Sequence, residues 1–167
     1  DYVRVGTSIG DIVAGLFCVI GILSQLIRRK NLNIGSKLDI SMLDCQIAIL
    51  ENAIARYSIE KKVPVPIGTD HPSISPFGLF KTLDRPIVLA AGNNKIFFKL
   101  CECLNDSKMK NNSMFKNNIN RNKNLKILRK KIEKKLTKKK SNVWIKKFSK
   151  KNIPCSLVNN IKDIVNH

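Results

Sequence analysis

Pro64, Pro66, Gly68, Pro72, Pro76 and Gly78 fall within fifteen residues, and neither a helix nor a sheet interior tolerates that density. Each proline fixes φ and removes a backbone donor, and each glycine loosens the chain. The stretch is therefore an ordered loop or linker, and it divides the chain of 167 residues into two parts. With 43% hydrophobic content the sequence is too apolar for a wholly disordered segment and long enough for one core.

Before the loop, Ile12 to Ile27 is uncharged and lies between Asp11 and Arg28-Arg29-Lys30. Its 16 residues fall short of the roughly 20 needed to cross a bilayer, so a buried helix is expected, capped by Ser8 and Asp11 in a capping-box arrangement. A membrane-anchored chain is the alternative. Asn33-Ile34-Gly35 breaks the helix. Leu38, Ile40 and Met42 then alternate with Asp39 and Ser41, the period of a half-buried strand over Lys37 to Leu43. Asp44 is expected to cap a second helix reaching about Ser58, with Ile47, Leu50 and Ile54 on one stripe. This alternation of helix, strand and helix points to an α/β protein.

After the loop, Leu79 to Leu83 and Ile87 to Ala91 read as strands joined by a turn at Asp84-Arg85-Pro86, and Asn94 to Leu104 as a helix. Polar residues dominate Asn105 to Asn124, read as loop. Leu125, Leu128, Ile132 and Leu136 recur at helical spacing. A short helix capped by Ser141 or Asn142 would turn Trp144, Ile145 and Phe148 inward, and Pro154 ends it.

The formal charge of +19 suggests a polyanion partner, but its distribution does not. Lys108 to Lys151 holds 18 basic residues against one acid, Glu133, so this stretch carries +17 and the remainder +2. Asparagines are interleaved with the lysines, a mixture that compositional drift in A/T-rich coding sequence also produces. A solvated face is expected, and nucleic acid is not an expected partner; a module gripping nucleic acid or another polyanion is the rival and would bind with a steep salt dependence.

Catalytic apparatus is sparse. His71 and His167 are the only histidines, and neither forms a nucleophile and base pair recognisable from sequence. Asp11, Asp39 and Asp44 sit at element ends, where capping explains them. The five cysteines, Cys18, Cys45, Cys101, Cys103 and Cys155, lack paired zinc spacing and read as thiols in a reducing cytoplasm; no metal is expected. Cys155, after Pro154, is read as a packing residue. The opening Asp1-Tyr2-Val3-Arg4 has no initiator Met and no basic n-region, so neither a signal peptide nor a complete chain is expected. Gly68 to Phe77, with Asp70, His71, Pro72, Ser73 and Ser75, combines a titratable ring, hydroxyls and rigid prolines. From composition it reads as a connector with a solvated histidine or as a loop that shapes a site.

Five segments carry a resemblance. They are Val5 to Arg29 (VGTSIGDIVAGLFCVIGILSQLIRR), Gly35 to Tyr57 (GSKLDISMLDCQIAILENAIARY), the loop HPSISPF, AAGNN from Ala90 to Asn94, and IPCSLVN from Ile153 to Asn159. In this order and spacing the chain resembles the class III CoA-transferases, the formyl-CoA transferase and carnitine CoA-transferase family. The match covers nearly the whole chain, loosely over Lys108 to Lys140. It departs at Asp84-Arg85, where the family has Asp-Gly, and at Ser156, where Gly or Ala is common.

The resemblance implies an α/β protein: part of a doubly wound large domain plus a small α+β domain, incomplete, from an interlocked homodimer in the cytoplasm with no membrane partner. Residues 1–78 would be large-domain part and connector, 79–140 the small domain, and 141–167 a return segment toward the large domain. The implied activity moves CoA between carboxylic acids through an aspartyl intermediate, with acyl-CoA and carboxylic acids as substrates and no bound cofactor. The nucleophilic aspartate would lie upstream, so no catalytic residue is expected in this chain, and the chain alone is expected to be inactive. Gly68, Asp70, His71, Pro72, Ser73 and Ser75 would form the substrate-binding or active-site loop. An α-methylacyl-CoA racemase-like member of the same fold is the alternative within the family.

Overall fold

The computed structural model describes residues 3–166; Asp1, Tyr2 and His167, named above, lie outside the described residues. The chain divides into two compact units, Asp1–Pro66 and Ile67–His167. The boundary falls inside the proline-rich loop, leaving Pro64 and Pro66 in the first unit and Gly68 to Gly78 in the second.

The first unit is helical: α1 (Ile9–Leu32), α2 (Met42–Ala48) and α3 (Glu51–Glu60). At 24 residues, α1 is long and apolar enough to cross a membrane by length and composition, so the argument from a 16-residue run does not hold. Its C-terminus is closed by Asn33 in the left-handed conformation, whose N–H donates to Arg29 O. The expected burial of this helix is also not seen. Val13 is buried, but Ile12, Leu16, Val19, Ile20, Leu23 and Ile27 are exposed. Ser8 occupies the N-cap without a side-chain hydrogen bond, so the capping box with Asp11 does not form.

The strand expected over Lys37 to Leu43 is coil running into α2. An extended segment becomes a strand only when a neighbour accepts its backbone hydrogen bonds, and the sheet of the described residues involves other segments. Leu38 nonetheless packs close to α1: a Cβ added at Gly21 would meet its Cδ atoms at 2.9 Å. The cap of α2 is Ser41, whose Oγ accepts from Asp44 N at 3.2 Å, and not Asp44 itself. A turn at Ile49 and Leu50 divides the single helix expected here into α2 and α3.

The second unit is built on an antiparallel sheet in the order β1-β2-β3, with β1 (Phe77–Phe80), β2 (Ile87–Ala90) and β3 (Cys155–Leu157). The hairpin and the helix α4 (Asn94–Cys103) match the sequence reading within a few residues. β3 was not anticipated, because three residues after a proline carry too little periodicity. It pairs with β2 in the register Ile87↔Leu157 and Leu89↔Cys155. Residues 141–167, expected as a return segment, thus supply one strand of this sheet and the helices α8 (Ser141–Ser149) and α9 (Ile161–Val165).

The stretch Asn105 to Asn124, read as loop, contains α5 (Ser107–Lys110), a 3₁₀ turn at Ser113–Phe115 and α6 (Asn118–Lys123). Each begins at an Asx cap: Asp106 accepts from Met109 N, Asn112 from Met114 N, and Asn117 from Asn120 N. Asparagine is weak inside helices and strong at N-caps, so a polar, Asn-rich sequence can encode short capped turns. Each turn buries one large residue, respectively Met109, Phe115 and Arg121. The long helix α7 (Leu125–Leu136) then buries Leu128, Ile132 and Leu136, as its spacing predicts. These pack with Phe80, Ile87, Leu89, Phe97, Leu100, Trp144 and Phe148 into one core.

The turn aspartate Asp84 caps α8 from outside the helix. The N-cap residue Lys140 offers no side-chain bond, and Asp84 Oδ1 accepts from Ser141 N at 2.7 Å and from Arg85 N at 2.8 Å. These two backbone donors hold its carboxyl well below the usual carboxylate range. A depressed folded value means that Asp84 contributes stability above its unfolded pKa of about 3.9 and loses it as pH falls further. Thermal melts from pH 6 to 3 should therefore show a smaller acid-induced loss in Asp84→Asn than in the parent chain; superimposable pH profiles would show that the charge contributes nothing.

Candidate active-site loop

The segment between the two units' last and first regular elements carries the residues singled out by sequence. Gly68 has φ of +72°, a left-handed conformation that glycine adopts without strain. The chain then turns through Asp70 and His71, both partly buried, while Pro72, Ser73 and Ile74 are exposed and Ser75 is fully buried.

His71 organises the turn around itself. Its Nδ1 accepts from Ser73 N at 3.1 Å and Ile74 N at 3.0 Å, and the His71 backbone N–H donates to Phe77 O at 2.9 Å. The ring stacks on Phe77 with centroids 5.1 Å apart. Because Nδ1 is the acceptor, the ring proton of the neutral side chain resides on Nε2. The His71 ring is thus held in place by two backbone donors and by stacking on Phe77, and is not a freely solvated ring on a passive connector.

Asp70, the loop's carboxylate, is ion-paired with Arg129 Nη2 on α7. Arg129 Nη1 donates to Leu79 O at 2.5 Å and lies 3.4 Å from Glu133 Oε1, and its guanidinium sits 4.5 Å from the Phe80 ring centre. A carboxylate engaged in this way anchors the loop and is a poor candidate for attack on a thioester. A concavity of about 330 Å³ opens beside it, between His71, Pro72, Leu125, Lys126 and Arg129. Ser75 does not offer its hydroxyl to that surface; its Oγ is buried and, among the described residues, has no hydrogen-bond partner. It contributes instead through its backbone, with Ser75 N donating to Asn118 Oδ1 at 2.9 Å and Ser75 O accepting from Arg121 Nε at 2.7 Å.

Among the described residues no three His, Cys, Asp or Glu side chains converge as a metal site. Cys101 is buried and its thiol is pushed up to about 12, chiefly by burial. Burial likewise raises Cys103 and Cys155. Thiolate is the nucleophilic form of cysteine, and burial disfavours it at these positions; Cys155 is partly buried against the core. The arrangement can cover and orient; of the loop's hydroxyls, Ser75 is buried, and the exposed Ser73 Oγ lies 3.5 Å from His71 Nδ1.

The family described as CoA-transferase family III matches residues 1–167. This chain belongs to that family. It is 31% identical over 161 residues to the acetyl-CoA:oxalate CoA-transferase of Acetobacter aceti, covering 96% of this chain and 41% of that protein. It is 34% identical to the human succinyl-CoA:glutarate CoA-transferase, covering 98% of this chain and 37% of that protein. The chain therefore spans about two fifths of the length of these relatives. Among solved structures it is similar to a CAIB/BAIF family protein from Brucella suis, with a TM-score of 0.81 and 27% identity over 99% of this chain and 44% of that one. A hypothetical protein from Mycobacterium tuberculosis has a TM-score of 0.87 at 18% identity, a likeness of fold.

Within this family III chain, sequence reasoning found the loop but missed what holds it: Asn118, Arg121, Asn122 and Arg129. One signal was available. Of the 18 basic residues from Lys108 to Lys151, only Arg121 and Arg129 are arginine, and both touch the loop or its flanking strand. Arginine presents five donors in a planar fork that lysine lacks.

Gly78, buried in β1, sets how closely the loop approaches the sheet. A Cβ there would stand 2.7 Å from both Asp70 Oδ1 and Thr69 O. Gly78→Ala should displace the Thr69-Asp70 backbone and cost about 1–3 kcal/mol by overpacking. Chemical denaturation together with the NMR signals of His71 checks this; an unshifted His71 ring and unchanged stability would show that the contact yields without consequence.

Proposed function

We propose that this chain is part of an enzyme that transfers CoA between carboxylic acids, and that Gly68, Asp70, His71, Pro72, Ser73 and Ser75 form its active-site loop. The observation that carries the reading is the family match over residues 1–167 coinciding with a loop whose one carboxylate is ion-paired and whose histidine ring is held by backbone donors. The acids named for the similar proteins, oxalate and glutarate, are dicarboxylates, and we take a dicarboxylic acid as acceptor and an acyl-CoA thioester as donor.

In this chemistry a carboxylate attacks the thioester carbonyl, releasing CoA thiolate and leaving a mixed anhydride. The thiolate then attacks the enzyme's own acyl carbon, releasing the first acid and leaving an enzyme thioester for the acceptor acid to open. We propose that none of Asp11, Asp39, Asp44 or Asp70 is that nucleophile. The loop's task is to exclude water from the anhydride, which water would otherwise hydrolyse, and to orient the reacting carbonyl. In this reading the enzyme is an interlocked cytoplasmic homodimer, and the exposed apolar side of α1 is covered in the assembled protein. Coverage of 99% of this chain by the Brucella suis protein, α1 included, supports α1 as a helix of the fold rather than a membrane anchor.

The test is to incubate the purified chain with succinyl- or acetyl-CoA and free oxalate or glutarate, following CoA exchange by mass spectrometry. No turnover is expected from this chain alone. Turnover abolished by Asp11→Ala or Asp70→Ala would place the nucleophile here and overturn the assignment. In the active enzyme, replacing Lys134, Lys138, Lys139 and Lys140 with Gln should leave turnover within a few-fold. A hundredfold loss, about 2.7 kcal/mol of barrier, would mean that these lysines contact CoA phosphates.

A further inference from the structure

The segment that looked like compositional drift holds the crest of the loop by its backbone. Asn118, at the first position of α6, makes two bonds with one side-chain amide: Oδ1 accepts from Ser75 N at 2.9 Å, and Nδ2 donates to Ser73 O at 2.7 Å. One turn later, Asn122 Nδ2 donates to the same Ser73 O at 2.6 Å. Between them Arg121 is fully buried, and four of its contacts are to neutral oxygens: Ser75 O at 2.7 Å, Asn94 Oδ1 at 2.9 Å, Phe115 O at 3.1 Å and Gly92 O at 2.5 Å. Its guanidinium also lies 4.6 Å from the Phe97 ring centre.

Among the described residues no carboxylate faces this buried cation, which is an expensive arrangement unless its donors are satisfied. Burial lowers the pKa of Arg121 from its ordinary value. The geometry that satisfies the cation is one in which Ser75 of the loop and Gly92 at the end of β2 are drawn to one fork. Gly92 completes the fit, because a Cβ there would overlap Ile74 Cγ2. Lysine, with its donors on a single nitrogen, cannot span these separated carbonyls.

We infer that Arg121, with Asn118 and Asn122, is a positioning device that fixes residues 73–75 and thereby holds the active-site loop closed over the reacting groups. The inference rests on the proposed function of the loop and adds that its closure is set by side chains of α6 reading its backbone. It follows that these residues govern the partition of the acyl intermediate between transfer and hydrolysis more than the binding of acyl-CoA. In hydrolysis, water adds to the anhydride and returns a free acid and the free enzyme carboxylate, so each lost transfer appears as one acyl-CoA consumed without new CoA ester.

The experiment measures that partition in the active full-length enzyme for Asn118→Ala, Asn118→Asp, Asn122→Ala and Arg121→Lys, with Leu136→Val as a destabilised control outside the loop contacts. Asn118→Ala and Arg121→Lys should lower kcat for transfer on the order of tenfold and raise the hydrolysed share, with KM for acyl-CoA changing less than kcat. Asn118→Asp retains the acceptor for Ser75 N and should recover part of the loss. An unchanged partition in all four variants, or an equal change in Leu136→Val, would overturn the inference. Amide exchange in the isolated chain gives a second reading that does not need activity. The Ser75 N–H should exchange at least about tenfold faster in Asn118→Ala and regain protection in Asn118→Asp; no change would remove the clamp itself. If the enzyme moved no CoA while these exchange rates changed as expected, the proposed function would fail and the clamp would stand. Should Arg121→Lys not fold, Asn122→Ala, from a partly exposed side chain, decides the matter.

Discussion

A buried guanidinium, with no carboxylate partner among the described residues, organises the second unit. Water would solvate Arg121 in the unfolded chain, so folding must replace that shell with oriented acceptors or forfeit several kcal/mol. The replacements come from four places far apart in sequence: Ser75 in the loop, Gly92 after β2, Asn94 at the start of α4 and Phe115 in the 3₁₀ turn. Satisfying one side chain thus fixes the mutual placement of the loop, the sheet end and the Asn-rich turns. The apolar core of Phe80, Leu89, Phe97, Leu128 and Phe148 supplies the bulk of the burial. That burial is non-directional and does not by itself say where a loop backbone should lie.

The same logic extends to Arg129 and Asp84. Arg129 ties Asp70 to α7 and Leu79 O to the same helix, so the loop is held at its beginning by an ion pair and at its crest by amides and a buried fork. Asp84 ties the β1–β2 turn to the start of α8. The departure from Asp-Gly at this turn leaves the aspartate in place, and it is the aspartate that accepts the α8 N–H. In each case a polar side chain reads backbone groups of a distant element, which gives direction to an otherwise greasy packing. Under the proposed function this placement has a purpose, since acyl transfer in water depends on keeping water from an activated carbonyl.

In the first unit the picture is different. Gly10 and Gly21 let α1 approach Gln46, Met42 and Leu38 closely, yet most large apolar side chains of α1 stay exposed. Exposed apolar surface of this extent is a candidate contact surface, which the assembly proposed above would cover.

Periodicity and punctuation made much legible in advance. The apolar spacing of α7, the hairpin around Asp84-Arg85-Pro86, the helix after Asn93 and the proline-rich loop follow from local rules that a single segment obeys on its own. The order of five short motifs made the family legible too. What the sequence could not settle were choices made between segments. Leu38 to Met42 alternates like a strand but becomes coil running into α2, because among the described residues no neighbouring strand completes its hydrogen bonds. Cys155 to Leu157 looks featureless but becomes a strand, because β2 offers an edge. Asn118, Arg121 and Asn122 read as polar filler within a basic run, since a hydrogen bond to a backbone carbonyl more than forty residues away leaves no trace in local composition. Local propensity and pattern are properties of the chain, whereas satisfaction of buried polar groups is a property of the fold, and the candidate site is built mainly from the latter.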